Sequence, residues 1–110
     1  MVQAKTELFS GELTETAKLF KVLSHPARLR ILQFLSESRV CITGDISDEL
    51  PLGRTTVNQH LRELKENGLI KGQVEGAKTN YCLNPEKIKK LKSIISVFLK
   101  KLEINDNKCE

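Results

Sequence analysis

The chain is poor in the residues on which stacking, redox and catalytic chemistry usually rest. It has no tryptophan and only 5% aromatics, which argues against a platform for stacking single-stranded bases. No apolar run approaches the ~20 residues that a membrane span requires. The start, Met1 to Glu7, has no apolar core of the kind an export signal carries. Cysteine occurs three times, at Cys41, Cys82 and Cys109, an odd and widely spaced set. With no export signal, the expected compartment is a reducing cytoplasm with free thiols. No nucleophile–base pair, phosphate-cradling loop or paired catalytic carboxylates emerge, and Glu63 and Glu66 read as exposed helix charges, so no enzyme is expected. Internal repeats and linkers are missing too, which leaves residues 1–110 as one domain.

What is present reads as a soluble, basic, globular protein with no membrane partner. Hydrophobic residues make up 39% and charged residues 29%, and the net charge is +4 with a pI near 9.1. That balance is compatible with a polyanionic partner without demanding one.

Hydrophobic periodicity places the elements. Residues 12–36 read as two helices. Leu13, Ala17 and Phe20 share a face of the first, and Leu29, Ile31, Leu32 and Leu35 form the buried set of the second. Ser24-His25-Pro26 separates them, because Pro26 disfavours helix at His25 and fits a first helical turn. Ser24 is the expected cap, and His25 a structural residue of that turn. Val40 to Ile42 is a short β-type run. Residues 43–67 read as two helices joined by a turn, the first starting at Thr43 or Gly44 and facing Ile46 and Leu50 inward. The second ends at Asn67-Gly68, where glycine can adopt the left-handed conformation. Residues 69–83 form a hairpin, with strands Leu69–Val74 and Thr79–Leu83 and a longer loop between them. Residues 85–103 form a last helix with an apolar seam of Ile88, Leu91, Ile95, Phe98 and Leu102, and residues 104–110 a frayed tail.

The densest signal lies in the second motif helix. Val57, Leu61 and Leu64, spaced i, i+4, i+7, line one face and leave Arg54, Thr55, Asn58, Gln59 and Arg62 pointing outward. A helix that needs one face for its core, and exposes donors and acceptors early, is built to enter a major groove. Arg54 could bond a phosphate or guanine, Asn58 and Gln59 adenine, and Thr55 or Thr56 a thymine methyl or phosphate. One threonine is expected to cap the helix instead. Lys78, at the hairpin tip, would reach the minor groove or flanking phosphates. Arg28 and Arg30 lie on opposite sides of their helix, so at most one can face the duplex.

Helix, helix, short strand, helix, turn, helix, hairpin, helix is the order of a winged helix-turn-helix, mostly α with a small β-hairpin wing. Four local motifs stand in that order: Leu23-Ser-His-Pro-Ala-Arg-Leu-Arg-Ile-Leu32, Thr56-Val-Asn-Gln-His-Leu61, Leu64-Lys-Glu-Asn-Gly-Leu-Ile70 and Glu75-Gly with Tyr81-Cys-Leu83. Together they resemble the ArsR/SmtB family of bacterial repressors over about two thirds of the chain. The resemblance implies a homodimer on a two-fold-related DNA operator, released when an inducer binds. It also implies an interface of the first and last helices, here Leu13, Phe20, Ile88, Leu91, Ile95, Phe98 and Leu102. His60 matches the family's histidine before a leucine and would contact a phosphate or serve structurally.

Two inducer sites of the family are missing. Its paired thiolates near the first motif helix fall on Ile42 and Gly44, and the last helix, which carries a zinc site in other members, has no histidine. Another pairing remains. The short strand of a winged helix runs antiparallel to the second wing strand, so Cys41 can oppose Cys82, and Thr43 then opposes Asn80. Tyr81 and Leu83 would face the core and Cys82 away from it. Such a pair places its Cβ atoms ~4.5–5.5 Å apart. Two thiolates there could hold trivalent arsenic or a soft metal ion, with Cys109 or solvent as third donor. They could equally act as a redox pair, or sense nothing in a regulator without an inducer. A winged-helix protein-interaction module is the other reading, disfavoured by an outward face with no apolar anchor.

Overall fold

Serine, proline and glycine delimit the helices. The computed structural model describes residues 8–37, 42–43, 46, 50–75 and 78–104. Helix α1 (Gly11–Leu23) starts where the Ser10 hydroxyl accepts the Leu13 N–H at 3.2 Å. It ends at Ser24, whose N–H and hydroxyl both donate to the Lys21 carbonyl. Pro26 opens α2 (Pro26–Glu37), and the first free N–H, of Ala27, is taken by Nδ1 of His25 at 3.1 Å. Ser24 therefore closes α1, and the expectation that it caps the following helix gives way to His25.

Then come β1 (Ile42–Thr43), α3 (Arg54–Glu66), β2 (Ile70–Glu75), β3 (Lys78–Leu83) and α4 (Pro85–Lys100). The three strands form one antiparallel sheet in the order β1-β3-β2. The elements make a winged helix, with β2 and β3 as the wing. Thr43 pairs with Asn80, as expected, and Ile42 with Tyr81. Because Thr43 belongs to β1, it does not start the next helix. Of the expected helix, Ile46 and Leu50 are buried as anticipated, while 44–45 and 47–49 lie outside the described residues, as do Val40, Cys41 and Cys109. The wing ladder continues to Glu75↔Lys78, so only Gly76 and Ala77 separate the strands. The longer loop expected there is replaced by further backbone pairing.

The core is centred where α3 meets the wing. Its five most completely buried large side chains are Ile31, Val57, Leu64, Leu69 and Ile70, each contributing roughly 1.5–3 kcal/mol by leaving water. Leu19 and Val22 of α1, Leu35 of α2, Ile46, Leu50, Leu61 of α3 and Leu91 of α4 complete the cluster. Tyr81 and Leu83 pack against it, as their alternation on β3 required. Leu29, expected inside, is 47% exposed; Ala27, Ile31 and Leu35 supply the buried face of α2 instead. Thr16, Leu19 and Val22 supply that of α1, leaving Leu13, Ala17 and Phe20 outside.

Asn67 and Gly68 terminate α3. Gly68 has φ +78°, its N–H donates to Lys65, and the Leu69 N–H reaches back to Leu64 at 3.0 Å. These two bonds make a Schellman ending that turns the chain directly into β2. Asn84 then ties the start of α4 to this corner, donating its N–H to Leu69 and its amide Nδ2 to the Gly68 carbonyl. Since a left-handed conformation costs a non-glycine residue about 1–2 kcal/mol, Gly68→Ala should lower unfolding free energy by that amount in urea titrations. Gly11→Ala, whose added methyl would meet nothing within 4 Å, should not be destabilising.

Candidate nucleic-acid interface

Helix α3 is divided cleanly into two faces. Val57, His60, Leu61 and Leu64 are buried, and Arg54, Thr55, Thr56, Asn58, Gln59 and Arg62 are exposed. The buried set fits the spacing i, i+3, i+4, i+7, so the helix is anchored along one stripe and presents hydrogen-bonding side chains on the other. Gly53, in extended conformation (φ −67°, ψ 155°), precedes the first turn and supplies no side-chain cap. Neither threonine caps the helix, contrary to expectation: both follow Arg54 inside it, on the exposed surface. Lys71, near the base of the wing, is exposed, and Lys78 opens β3 at the far end of the hairpin.

Of the expected DNA-facing residues on α3, His60 turns inward. It is 7% exposed, and its Nδ1 accepts a hydrogen bond from Nε of Arg28 at 3.1 Å. Nη1 of the same guanidinium donates to the Val22 carbonyl at 3.1 Å. Arg28 thus joins the last turn of α1, the first turn of α2 and the middle of α3. The His25 ring lies against the His60 ring, with centroids 4.2 Å apart and planes inclined at 49°. Burial, the nearby His25 and the Arg28 charge hold the His60 pKa below its ordinary 6.5. Arg30 turns the other way, pairing with Glu37 at 3.4 Å, and Phe34 lies beneath its guanidinium.

This three-helix joint was not anticipated, although the spacing signalled it. His60 stands three residues after Val57 and four before Leu64, which puts it on the buried stripe itself. The two histidines do not compose a metal centre, because both Nδ1 atoms already accept hydrogen bonds. Among the described residues no group of three or more His, Cys, Asp or Glu side chains converges to hold a cation. No helix of the described residues is long and apolar enough to cross a membrane.

The second surface of note runs along α1 and α4. Leu13, Phe20, Val97, Leu99 and Leu102 are 39–57% exposed, and Phe9, Leu13, Ala17, Phe20 and Phe98 line an apolar groove of about 400 Å³. Phe20 and Phe98 meet edge to face at 5.7 Å, and Glu12–Lys101 and Glu15–Lys90 pairs flank them. The seam read from the last helix therefore divides. Leu91 is buried within its own chain, Ile88 and Ile95 pack on the same core, and the remainder faces out. Leu102 lies beyond the helix, which ends at Lys100.

Comparison with known proteins decides the family. Residues 23–73 match the model of a helix-turn-helix domain. Over 103 residues, 93% of this chain and 83% of the relative, it is 33% identical to a cadmium resistance transcriptional regulatory protein CadC homologue of Staphylococcus aureus. The chain belongs to the ArsR/SmtB family. It is also 35% identical to an arsenical resistance operon repressor of Staphylococcus xylosus, over 66% of this chain and 68% of that one. In fold it resembles a homodimeric winged helix-turn-helix DNA-binding domain from Mycobacterium bovis, a possible ArsR-family regulator. That match has TM-score 0.58 and 23% identity, and covers 99% of this chain and 97% of the other.

Because Asn58, Gln59 and Arg62 stand on the exposed face of α3, alanine at any of them should change stability by no more than about 0.5 kcal/mol. Thermal or urea unfolding of the three variants checks this, and a larger loss would show that the face takes part in the fold.

Proposed function

We propose that this ArsR/SmtB-family protein is a sequence-specific repressor that binds double-stranded DNA as a homodimer in the cytoplasm. The supporting observation is the division of α3: four buried residues fix the helix, and its whole outer face is donors and acceptors. In this reading α3 enters the major groove, where Arg54, Asn58 and Gln59 meet base edges and Thr55, Thr56 and Arg62 meet bases or phosphates. Lys78 on the wing holds the flanking backbone. The dimer joins through the outer side of α1 and the end of α4, using Leu13, Phe20, Phe98 and Leu102. Such a face is too apolar to stay in water on a small protein, and the homodimeric Mycobacterium bovis domain is a precedent for the assembly.

Fluorescence anisotropy on duplex DNA from upstream of its own gene tests the reading. Binding should weaken steeply with added salt, as phosphate neutralisation requires. Arg54→Ala and Asn58→Ala should each cost about 1–3 kcal/mol where they read a base. Binding that ignores salt and both substitutions would refute it.

The inducer reading rests on β1 and β3. Their register is Ile42↔Tyr81 and Thr43↔Asn80, and Cys82, next to Tyr81, is half-buried and disulfide-bonded. We infer that Cys41 and Cys82 form a thiol-reactive switch between the wing and the segment leading to the helix-turn-helix. Oxidation removes two protons and two electrons from the thiols; with hydrogen peroxide as acceptor, two waters leave and the disulfide forms. The alternative is capture of trivalent arsenic or a soft metal ion by the reduced pair, with Cys109 as third donor. Peroxide should release DNA from the reduced wild type and leave Cys82→Ser bound. Release by arsenite alone would support the metalloid version, and equal response of both proteins would eliminate the pair.

A further inference from the structure

The Arg28 joint carries a consequence for the recognition helix that its packing alone does not. Arginine is always a donor, so the Arg28 Nε–H to His60 Nδ1 bond fixes the His60 tautomer: the ring's single proton sits on Nε2. That nitrogen is buried and has no hydrogen-bond partner. A second proton can enter only at Nδ1, where it would face the guanidinium and abolish the bond. His25 is constrained likewise, since its Nδ1 accepts the Ala27 N–H that begins α2. The charged or titratable groups around the joint are Lys18 and Lys21 of α1, His25 in the turn before α2, Arg28 of α2, and Arg62 and Glu63 of α3. Cations outnumber the single acid, so the surroundings oppose an imidazolium.

We propose that Arg28 is a positioning residue for α3, and that its bond to neutral His60 is a proton-sensitive latch holding the DNA-reading face in place. His60 adjoins Gln59 in sequence and lies beside Arg62 in the same cleft, so release of the latch disturbs the outward face where it meets DNA. The sign follows from the direction of the shift. A histidine whose folded pKa lies below 6.5 contributes its full stabilisation above that pH. The contribution falls away as pH drops below 6.5 toward the folded value. The whole chain has only two histidines, and both belong to this joint. No other side chain has an unperturbed pKa between about pH 7 and 5.5, so a pH response in that range arises at this joint, and variants of the two histidines separate the latch from the α2 cap.

The inference rests on the DNA-binding reading, and the experiment separates the two. Anisotropy on the upstream duplex at about pH 7.5 tests DNA binding itself. On stepwise acidification from there through the folded pKa of His60, which lies below 6.5, wild-type affinity should fall roughly three- to tenfold, the equivalent of one lost hydrogen bond. The usual basic protein shows the opposite trend, because added protons strengthen its hold on phosphate. His60→Asn keeps an acceptor near the Nδ1 position but does not titrate, so it should bind alike across that range. Arg28→Met should already be weak at the higher pH and lose little more. A flat wild-type profile, or a His60→Asn profile as steep as wild type, would overturn the latch. Restoration of flatness by His25→Asn alone would assign the proton to the α2 cap and also overturn it. Ring 15N shifts of His60 in the free protein give a reading independent of DNA and of variant folding. They should show an Nε2–H tautomer above pH 6.5, and an Nδ1–H tautomer there would contradict the geometry.

Discussion

The fixed orientation of α3 is the constraint on which the rest depends. Val57, Leu61 and Leu64 are almost wholly buried and contact the core of α2 and the wing, so the helix cannot rotate without exposing them. A rotation of one residue, about 100°, would bury polar groups that have no partners there. The outward direction of Arg54, Asn58 and Gln59 is thus a by-product of hydrophobic burial on the opposite side. The Schellman ending at Gly68 fixes the other end, and Asn84 pins the corner to α4. The proposed reading helix and the proposed dimer helix are therefore joined through one short, well-packed corner.

A second tie runs through charge. Arg28 bonds the carbonyl of Val22 at the end of α1 and the imidazole of His60 on α3. The outer side of α1 is the apolar surface that carries Leu13 and Phe20. A single guanidinium thus stands between the proposed subunit interface and the proposed reading face. Changes at one can bias the other because the intervening bonds are few and directional. The β1–β3 pairing ties the wing to the short strand Ile42–Thr43.

The large elements and their order were legible in the sequence because they rest on strong, local signals. The stripe of α3, glycine at its end, proline at the start of α2 and α4, and alternation on β3 each have one physical explanation. The β1–β3 register was legible too, since the two-residue period of a strand makes Thr43↔Asn80 follow from strand order and facing. What escaped depended on surroundings. Leu29 is an ordinary apolar residue left on a surface, which periodicity alone does not reveal. Helix α1 has two apolar stripes, and only the packing shows that Thr16, Leu19 and Val22 face the subunit's own core. His60 reads from the sequence as either a phosphate contact or a structural residue, and its spacing on the buried stripe decides for the second. Leu102 continues a periodic pattern past the point where the helix has ended at Lys100.

The most direct test of the central claim is a backbone-amide NMR footprint of the protein titrated with its upstream duplex. The account predicts the largest shifts from Gly53 to Arg62 and along the wing near Lys78, with Leu13, Phe20 and Phe98 little affected. Shifts concentrated on α1 and the end of α4, with α3 silent, would contradict it.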